Sequence, residues 1–253
     1  MAEGDTILRL ARRLDAALVG QELSAKAPNP RGRAAGVERL DGRRLERAEA
    51  HGKHLLLHFD GDLVLHSHLG MSGGWHLYPR GARWRRAPGA AWAVLAGERE
   101  EAVEFGGPTL RLLPAARVRR DAELARLGPD LLADDFEPAP AIARLRADPR
   151  RGVGDALLDQ TAVAGIGNIF KSEACFAARV DPWRPVGEVG DEELSAVLAA
   201  AREQMLAAVD DGGRKSFSVY RRQGPCPACG GRLASRGQGD ANRTTYWCPS
   251  CQR

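Results

Sequence analysis

The chain has 253 residues, enough for about two domains, and its 43% apolar and 28% charged content sits near globular averages, which excludes a disordered, collagen-like or fibrous protein. No apolar run approaches the roughly 20 residues that span a bilayer, and the start Met1-Ala2-Glu3-Gly4-Asp5 lacks the basic and apolar regions of a secretory signal, so a cytoplasmic protein with no membrane partner is expected. The net charge of +4 is uneven: residues 214–253 carry eight basic side chains against Asp240 alone, a net of +7, which points to a polyanionic partner such as nucleic acid, while residues 1–213 carry 29 basic and 32 acidic groups, a net of −3.

In chain order, Asp5-Thr6 is placed to cap a helix with Ile7, Leu8, Leu10, Ala11, Leu14 and Leu18 at helical spacing, ended by Gly20. From Leu23 to about Leu113 the pattern changes to short strand-like runs: His54–Phe59, an Asp60-Gly61 turn, Leu63–His66, Ala91–Leu95 and Thr109–Leu113. These predict an antiparallel sandwich or barrel. The six histidines all fall between His51 and His76 and read as packing or DNA-facing residues; the Arg80–Arg86 stretch, with Trp84, reads as a solvated loop.

Leu127-Gly128-Pro129-Asp130 and the acidic, proline-bearing segment to Pro140 mark a domain boundary. Helices are then expected at Ala141–Ala147, Asp155–Gln160, Asn168–Ala178 and Asp191–Val209, with Gly212-Gly213 closing the last. Gly165-Ile166-Gly167-Asn168 opens onto a helix N-terminus, where free backbone N–H groups and the dipole can hold a phosphate; helix packing alone explains the glycines equally well. The resulting division is 1–114, 125–213 and 216–253, an α+β multidomain protein.

Cys226-Pro-Ala-Cys229 and Cys248-Pro-Ser-Cys251 form two C-x2-C knuckles eighteen residues apart, the spacing of four thiolates around tetrahedral zinc. Two disulfides are the competing reading, disfavoured in a reducing compartment. One zinc per chain is expected, structural because four cysteines leave no open position for a reactive water. The fifth cysteine, Cys175, lies in an apolar stretch and reads as a buried small hydrophobe. Only four of the 37 basic residues are lysines, so Lys53 within a motif stands out.

Six motifs in order, Glu3-Gly4-Asp5-Thr6, Gly52-Lys53-His54-Leu55, Ser67-His68-Leu69-Gly70-Met71, Leu127-Gly128-Pro129-Asp130, Leu158-Asp159-Gln160-Thr161 with Ala164-Gly165-Ile166-Gly167-Asn168, and Arg243-Thr244-Thr245-Tyr246-Trp247-Cys248, resemble the formamidopyrimidine-DNA glycosylase/endonuclease VIII family over nearly the whole chain. The resemblance implies an N-terminal helix with an antiparallel β-sandwich, a helix-two-turn-helix domain and a C-terminal zinc finger. It also implies a monomeric base-excision repair glycosylase with β,δ-elimination lyase activity on damaged DNA, nucleoid-associated if prokaryotic. Glu3 then resembles the general acid/base, Lys53 the phosphate-contacting catalytic lysine, and Arg243 the finger arginine that grips phosphates. Arg126 and Asn168 match positions that bind backbone phosphate, and Gly70 and Met71 stand in the loop that fills the gap left by the extruded base.

Position 2 departs from the pattern. The family begins Met-Pro-Glu and uses the proline amine, once Met1 is removed, as the nucleophile; here Ala2 offers a primary amine. The alternative is a catalytically weakened or inactive protein that binds damaged DNA. Glu3-Gly4-Asp5 resembles the endonuclease VIII branch and oxidised pyrimidines, whereas His68-Leu69-Gly70-Met71 is closer to the purine branch.

Overall fold

Helical spacing puts Ile7, Leu10, Ala11, Leu14 and Leu18 on one face, and in the computed structural model, which describes residues 2–253, all five are buried along α1 (Gly4–Leu18). Gly20 follows with φ +84°, a conformation that costs glycine little. The helix begins at Gly4 rather than at an Asp5-Thr6 cap, and the Asp5 carboxylate pairs instead with Lys215 at 2.8 Å. The described residues form two units: Ala2 with Thr6–Ala125, and Glu3–Asp5 with Arg126–Arg253.

The first unit is built on eight antiparallel strands: β1 (Glu22–Lys26), β2 (Arg43–His51), β3 (His54–Phe59), β4 (Leu63–His68), β5 (Gly74–Pro79), β6 (Ala93–Ala96), β7 (Glu100–Phe105) and β8 (Thr109–Pro114). Their order is β5-β7-β6-β1-β2-β3-β4-β8. β1 joins two halves because its start (Glu22, Leu23) pairs with β2 and its end (Ser24–Lys26) with β6. One core receives Leu45, Leu55, Leu57, Phe59 and Leu65 from one half, Trp75, Ala93, Leu95 and Ala102 from the other, and the buried face of α1. That is the expected sandwich, with alternate residues pointing inward. Two single-turn helices, α2 (Pro30–Ala34) and α3 (Ala115–Val118), complete the unit.

The Arg80–Arg86 loop is largely exposed, as expected, with its Trp84 side chain anchored. Trp84 Nε1 donates to Glu101 Oε1 at 2.6 Å, and the ring meets Phe105 edge-on at 6.2 Å. A half-buried indole with its N–H partnered supplies both apolar area and direction, which the surrounding arginines conceal in the sequence.

The second unit contains α4 (Pro138–Leu145), α5 (Val153–Ala156), α6 (Asn168–Ala177) and α7 (Asp191–Asp210), then a hairpin of β9 (Ala234–Gln238) and β10 (Arg243–Trp247). The helices α6 and α7 fall where periodicity puts them. The helix expected at Asp155–Gln160 is instead the single turn of α5, two residues earlier. Asp155 and Asp159 there both receive the Arg151 guanidinium, at 2.5 and 2.9 Å. Along α7, Leu194, Val197, Leu198, Ala201, Met205 and Val209 are all buried. No helix among the described residues is long and apolar enough to cross a membrane.

Candidate active site

The glycine-bearing turn at Gly165–Gly167 leads into α6, whose first amides lack intrahelical partners. The Glu3 carboxylate takes them. It accepts from Gly167 N (3.1 Å), Ile169 N (2.9 Å) and Phe170 N (3.3 Å), and Glu3 is completely buried. This corrects the expectation that these amides are free to hold a phosphate: the anion at the helix N-terminus belongs to the protein. Gly167 is required by that contact, because a Cβ there would lie 2.3 Å from the Glu3 carboxyl carbon. Gly4 N also donates to Gly165 O at 2.9 Å, so the turn and the chain start clamp each other.

The same first turn of α6 holds the finger hairpin. Asn168 is buried; its Nδ2 donates to Thr244 O (2.8 Å) and its Oδ1 accepts from Lys171 Nζ (2.8 Å). Lys171, fully buried, also donates to Thr245 Oγ1 (2.7 Å), which donates to Gln238 Oε1 (2.6 Å), whose Nε2 donates to Pro182 O (2.7 Å). Burial lowers the Lys171 pKa to about 8. Arg243, first residue of β10, is exposed and stands two residues before Thr245, so this network fixes the strand that presents it. Arg126 is exposed at the start of the second unit.

Farther along α6, the buried Glu173 carboxylate accepts from the amides of Ser218 (2.7 Å), Val219 (2.9 Å) and Tyr220 (2.7 Å). It fixes the segment between α7 and the finger. Cys175 is fully buried and its thiol is pushed up to about 12 by burial, which makes it the inert hydrophobe expected.

The Sγ atoms of Cys226, Cys229, Cys248 and Cys251 lie within 4.8 Å of one another, with 3.8 Å between Cys226 and Cys251 and 3.6 Å between Cys229 and Cys248. Four sulfurs at roughly 2.3 Å from a tetrahedral metal stand roughly 3.8 Å apart, whereas a disulfide needs roughly 2.05 Å. The donor set therefore fits a single metal ion.

In the first unit, Ala2 lines a pocket of about 250 Å³ together with Met71 and Trp75. Met71 is 61% exposed, on a loop that Gly70 turns with φ +57°. A side chain at Gly70 would also meet Pro108 Cδ at 2.8 Å. Met1 lies outside the described residues, and with it the question of its removal. Lys53 follows Gly52 in the two-residue turn between β2 and β3, where Gly52 takes φ +56°. Its charge lowers the pKa of His68 alongside burial, the larger cause.

On the face of β3 and β4 away from the core, His54 Nδ1 and His66 Nε2 lie 2.9 Å apart, and Arg111 Nε donates to His66 Nδ1 at 3.0 Å. Burial first, then neighbouring His and Arg charges, pushes His54 down to about 3 and His66 to about 4, so both are neutral packing groups. On the core side, Ser67 Oγ donates to Glu104 Oε1 (2.6 Å) and receives Trp75 Nε1 (3.1 Å). Burial raises the fully buried Glu104 to about 8.

The structure therefore gathers Ala2 and Met71 in one pocket, and Glu3, Asn168 and the strand of Arg243 around the first turn of α6. Lys171, Glu173 and Lys215 were not among the residues singled out in the sequence. The scarcity of lysine is the signal that marks Lys171 and Lys215; Glu173 has no local signal, since its partners lie 45 to 47 residues away.

Two family descriptions match the chain: the formamidopyrimidine-DNA glycosylase N-terminal domain over residues 1–106 and the formamidopyrimidine-DNA glycosylase H2TH domain over residues 127–219. It is 40% identical over 266 residues to a probable endonuclease 8 of Streptomyces coelicolor, covering 100% of this chain and 94% of that protein. It is 35% identical over 265 residues to a DNA-(apurinic or apyrimidinic site) lyase of Mycolicibacterium smegmatis, covering 100% of this chain and 99% of that protein. In fold it resembles the formamidopyrimidine-DNA glycosylase of Lactococcus lactis, solved with DNA containing an AP site, at a TM-score of 0.85 and 23% identity over 100% of both chains.

Proposed function

The chain belongs to the formamidopyrimidine-DNA glycosylase family and is a base-excision repair DNA glycosylase and AP lyase; we propose that it acts as a monomer on oxidised bases, pyrimidines above purines, through an imine formed by the Ala2 amine. The observation that carries this reading is the seat of Glu3. A carboxylate completely buried, held by three amides and next in sequence to the nucleophile has one fixed orientation, as a proton-handling group needs.

Once Met1 is gone, the Ala2 amine attacks C1′ of the damaged nucleotide: a C1′–N bond forms, and the base leaves with the electron pair of its glycosidic bond. Sugar ring opening then gives the imine, and β- and δ-elimination free the two phosphates. Glu3 protonates the opening sugar oxygen. Lys53 and Arg243 contact phosphates flanking the site, Arg243 with a bidentate fork that also steadies charge in the second elimination. Arg126 and Asn168 stand where backbone phosphate is received, while the Asn168 side chain also holds Thr244 and the neighbouring α6 amides stay with Glu3. Met71, on the Gly70 turn, fills the space vacated by the extruded nucleotide. The four cysteines hold one structural zinc, which folds the finger around Arg243. The likeness to bacterial relatives favours a cytoplasmic location.

Ala2 itself favours a second reading, a damaged-DNA binder whose nucleophile is impaired. Borohydride trapping on abasic-site duplex DNA separates the two. A covalent adduct on the Ala2 nitrogen, with Met1 shown absent by mass spectrometry, is the expected result. Removal of Met1 without an adduct would leave only the binding reading.

A further inference from the structure

The pocket beside Ala2 has an unusual donor balance. Arg9, Arg13, Met71, Trp75 and His76 line it with Ala2, and no Asp or Glu does. Arg9 Nε is buried and has no hydrogen-bond partner among the described residues, and a buried donor left unpaired is costly. The Trp75 N–H is already engaged by Ser67, so the indole offers the pocket a flat apolar surface rather than a donor. Burial, then the Arg85, Arg86 and Arg13 charges, lowers the pKa of His76, so its ring adds no further cation. The pocket thus places two guanidinium-bearing side chains beside a flat ring, in a volume of about 250 Å³, below the roughly 300–1,000 Å³ of sites for drug-sized ligands and suited to one small ring.

We propose that Arg9 reads the extruded base in this pocket and selects oxidised pyrimidines that present a carbonyl oxygen over those that present an exocyclic amine. The proposal rests on the glycosylase reading above. A carbonyl accepts from the guanidinium of Arg9, a residue that lines the pocket, whereas an amine sets donor against donor and leaves both unsatisfied. The same charge assists departure. As the Ala2 nitrogen bonds to C1′, the glycosidic electron pair moves onto the ring nitrogen, and the resulting anion is stabilised beside a guanidinium before taking a proton from water. The part of Arg9 is electrostatic and directional rather than proton transfer.

A matched pair of duplexes tests this: 5-hydroxyuracil and 5-hydroxycytosine differ at the ring position carrying carbonyl or amine. For the wild-type protein, kcat/KM for base release is expected to favour 5-hydroxyuracil by about tenfold or more. Arg9→Ala should bring the two within about threefold, chiefly by loss on 5-hydroxyuracil, and should lower that excision far more than nicking of an abasic site. Arg9→Gln, which keeps an amide donor and the side chain's bulk, should retain an intermediate preference and guards against misfolding of the alanine variant. An unchanged ratio in Arg9→Ala, or equal losses on both hydroxylated bases and the abasic site, overturns the proposal while the glycosylase reading stands. A wild-type protein that fails to nick abasic DNA overturns that reading and this inference with it.

Discussion

The Glu3 carboxylate and the Ile169 amide, 166 positions apart in sequence, stand 2.9 Å apart in the folded chain. The contact gives α6 its N-terminal anion and gives Glu3, the proposed acid/base, its orientation.

Glu3→Gln replaces one acceptor oxygen with an NH2 group that faces backbone donors. We expect a loss of about 1–3 kcal/mol in unfolding free energy, read by thermal denaturation. Base release should fall much more than nicking at a ready-made abasic site, because the abasic aldehyde is already open to amine attack. Equal losses in both activities would remove the proton-transfer role and leave Glu3 a helix anchor.

Glu104 provides the pH signature of the first unit. Its carboxyl titrates near 4.5 when unfolded and at about 8 when folded. Between these values the unfolded chain has released the proton that the folded chain keeps, so this group's contribution to stability falls as pH rises from 4.5 to 8, by a few kcal/mol in all. Glu104→Gln keeps a neutral side chain beside Ser67, and its stability should decline less over that range in urea titrations. Parallel curves for the two proteins would show that Glu104 is ionised in the fold.

One zinc per chain is expected by elemental analysis of freshly purified protein. Chelation, or Cys248→Ser, should unfold the finger locally and weaken DNA binding, because β10 ends one residue before Cys248 and carries Arg243 at its other end. Metal-free protein that keeps full affinity would contradict this.

Affinity for abasic-site duplex should fall with salt, and Arg243→Ala should reduce the slope of log K against log salt by about one. Lys171→Met should weaken binding too, through the loosened strand, while changing that slope little. A buried lysine offers no charge to phosphate, so a full unit of slope lost in Lys171→Met would show that its ammonium reaches the DNA.

Local patterns made part of this architecture legible. The strand β3, His54–Phe59, carries three consecutive leucines and Phe59 with a turn after it, and the cysteine knuckles need only spacing. The strands β2 and β7 were hidden by their charges: β2 sets Arg43, Arg44, Glu46 and Arg47 around Leu45, and β7 opens with Glu100 and Glu101. In α6, Lys171 and Glu173 are both buried, each because it satisfies donors or acceptors brought from distant segments. The Gly165–Gly167 turn was recognisable as an anion site; its anion, lying more than 160 residues upstream, was not.

The second unit includes Glu3–Asp5, a three-residue piece from the opposite end of the chain. During synthesis the helix that begins at Gly4 leaves the ribosome long before α6 exists, so the Glu3 carboxylate waits for the amides of Gly167, Ile169 and Phe170, made more than 160 residues later. The contact is strongly non-local, of the kind that slows folding more than it weakens the finished structure. A fragment starting at Arg126 would therefore expose three unmet amides at α6 and free the Lys215 ammonium from Asp5, whatever care was taken with its other boundary.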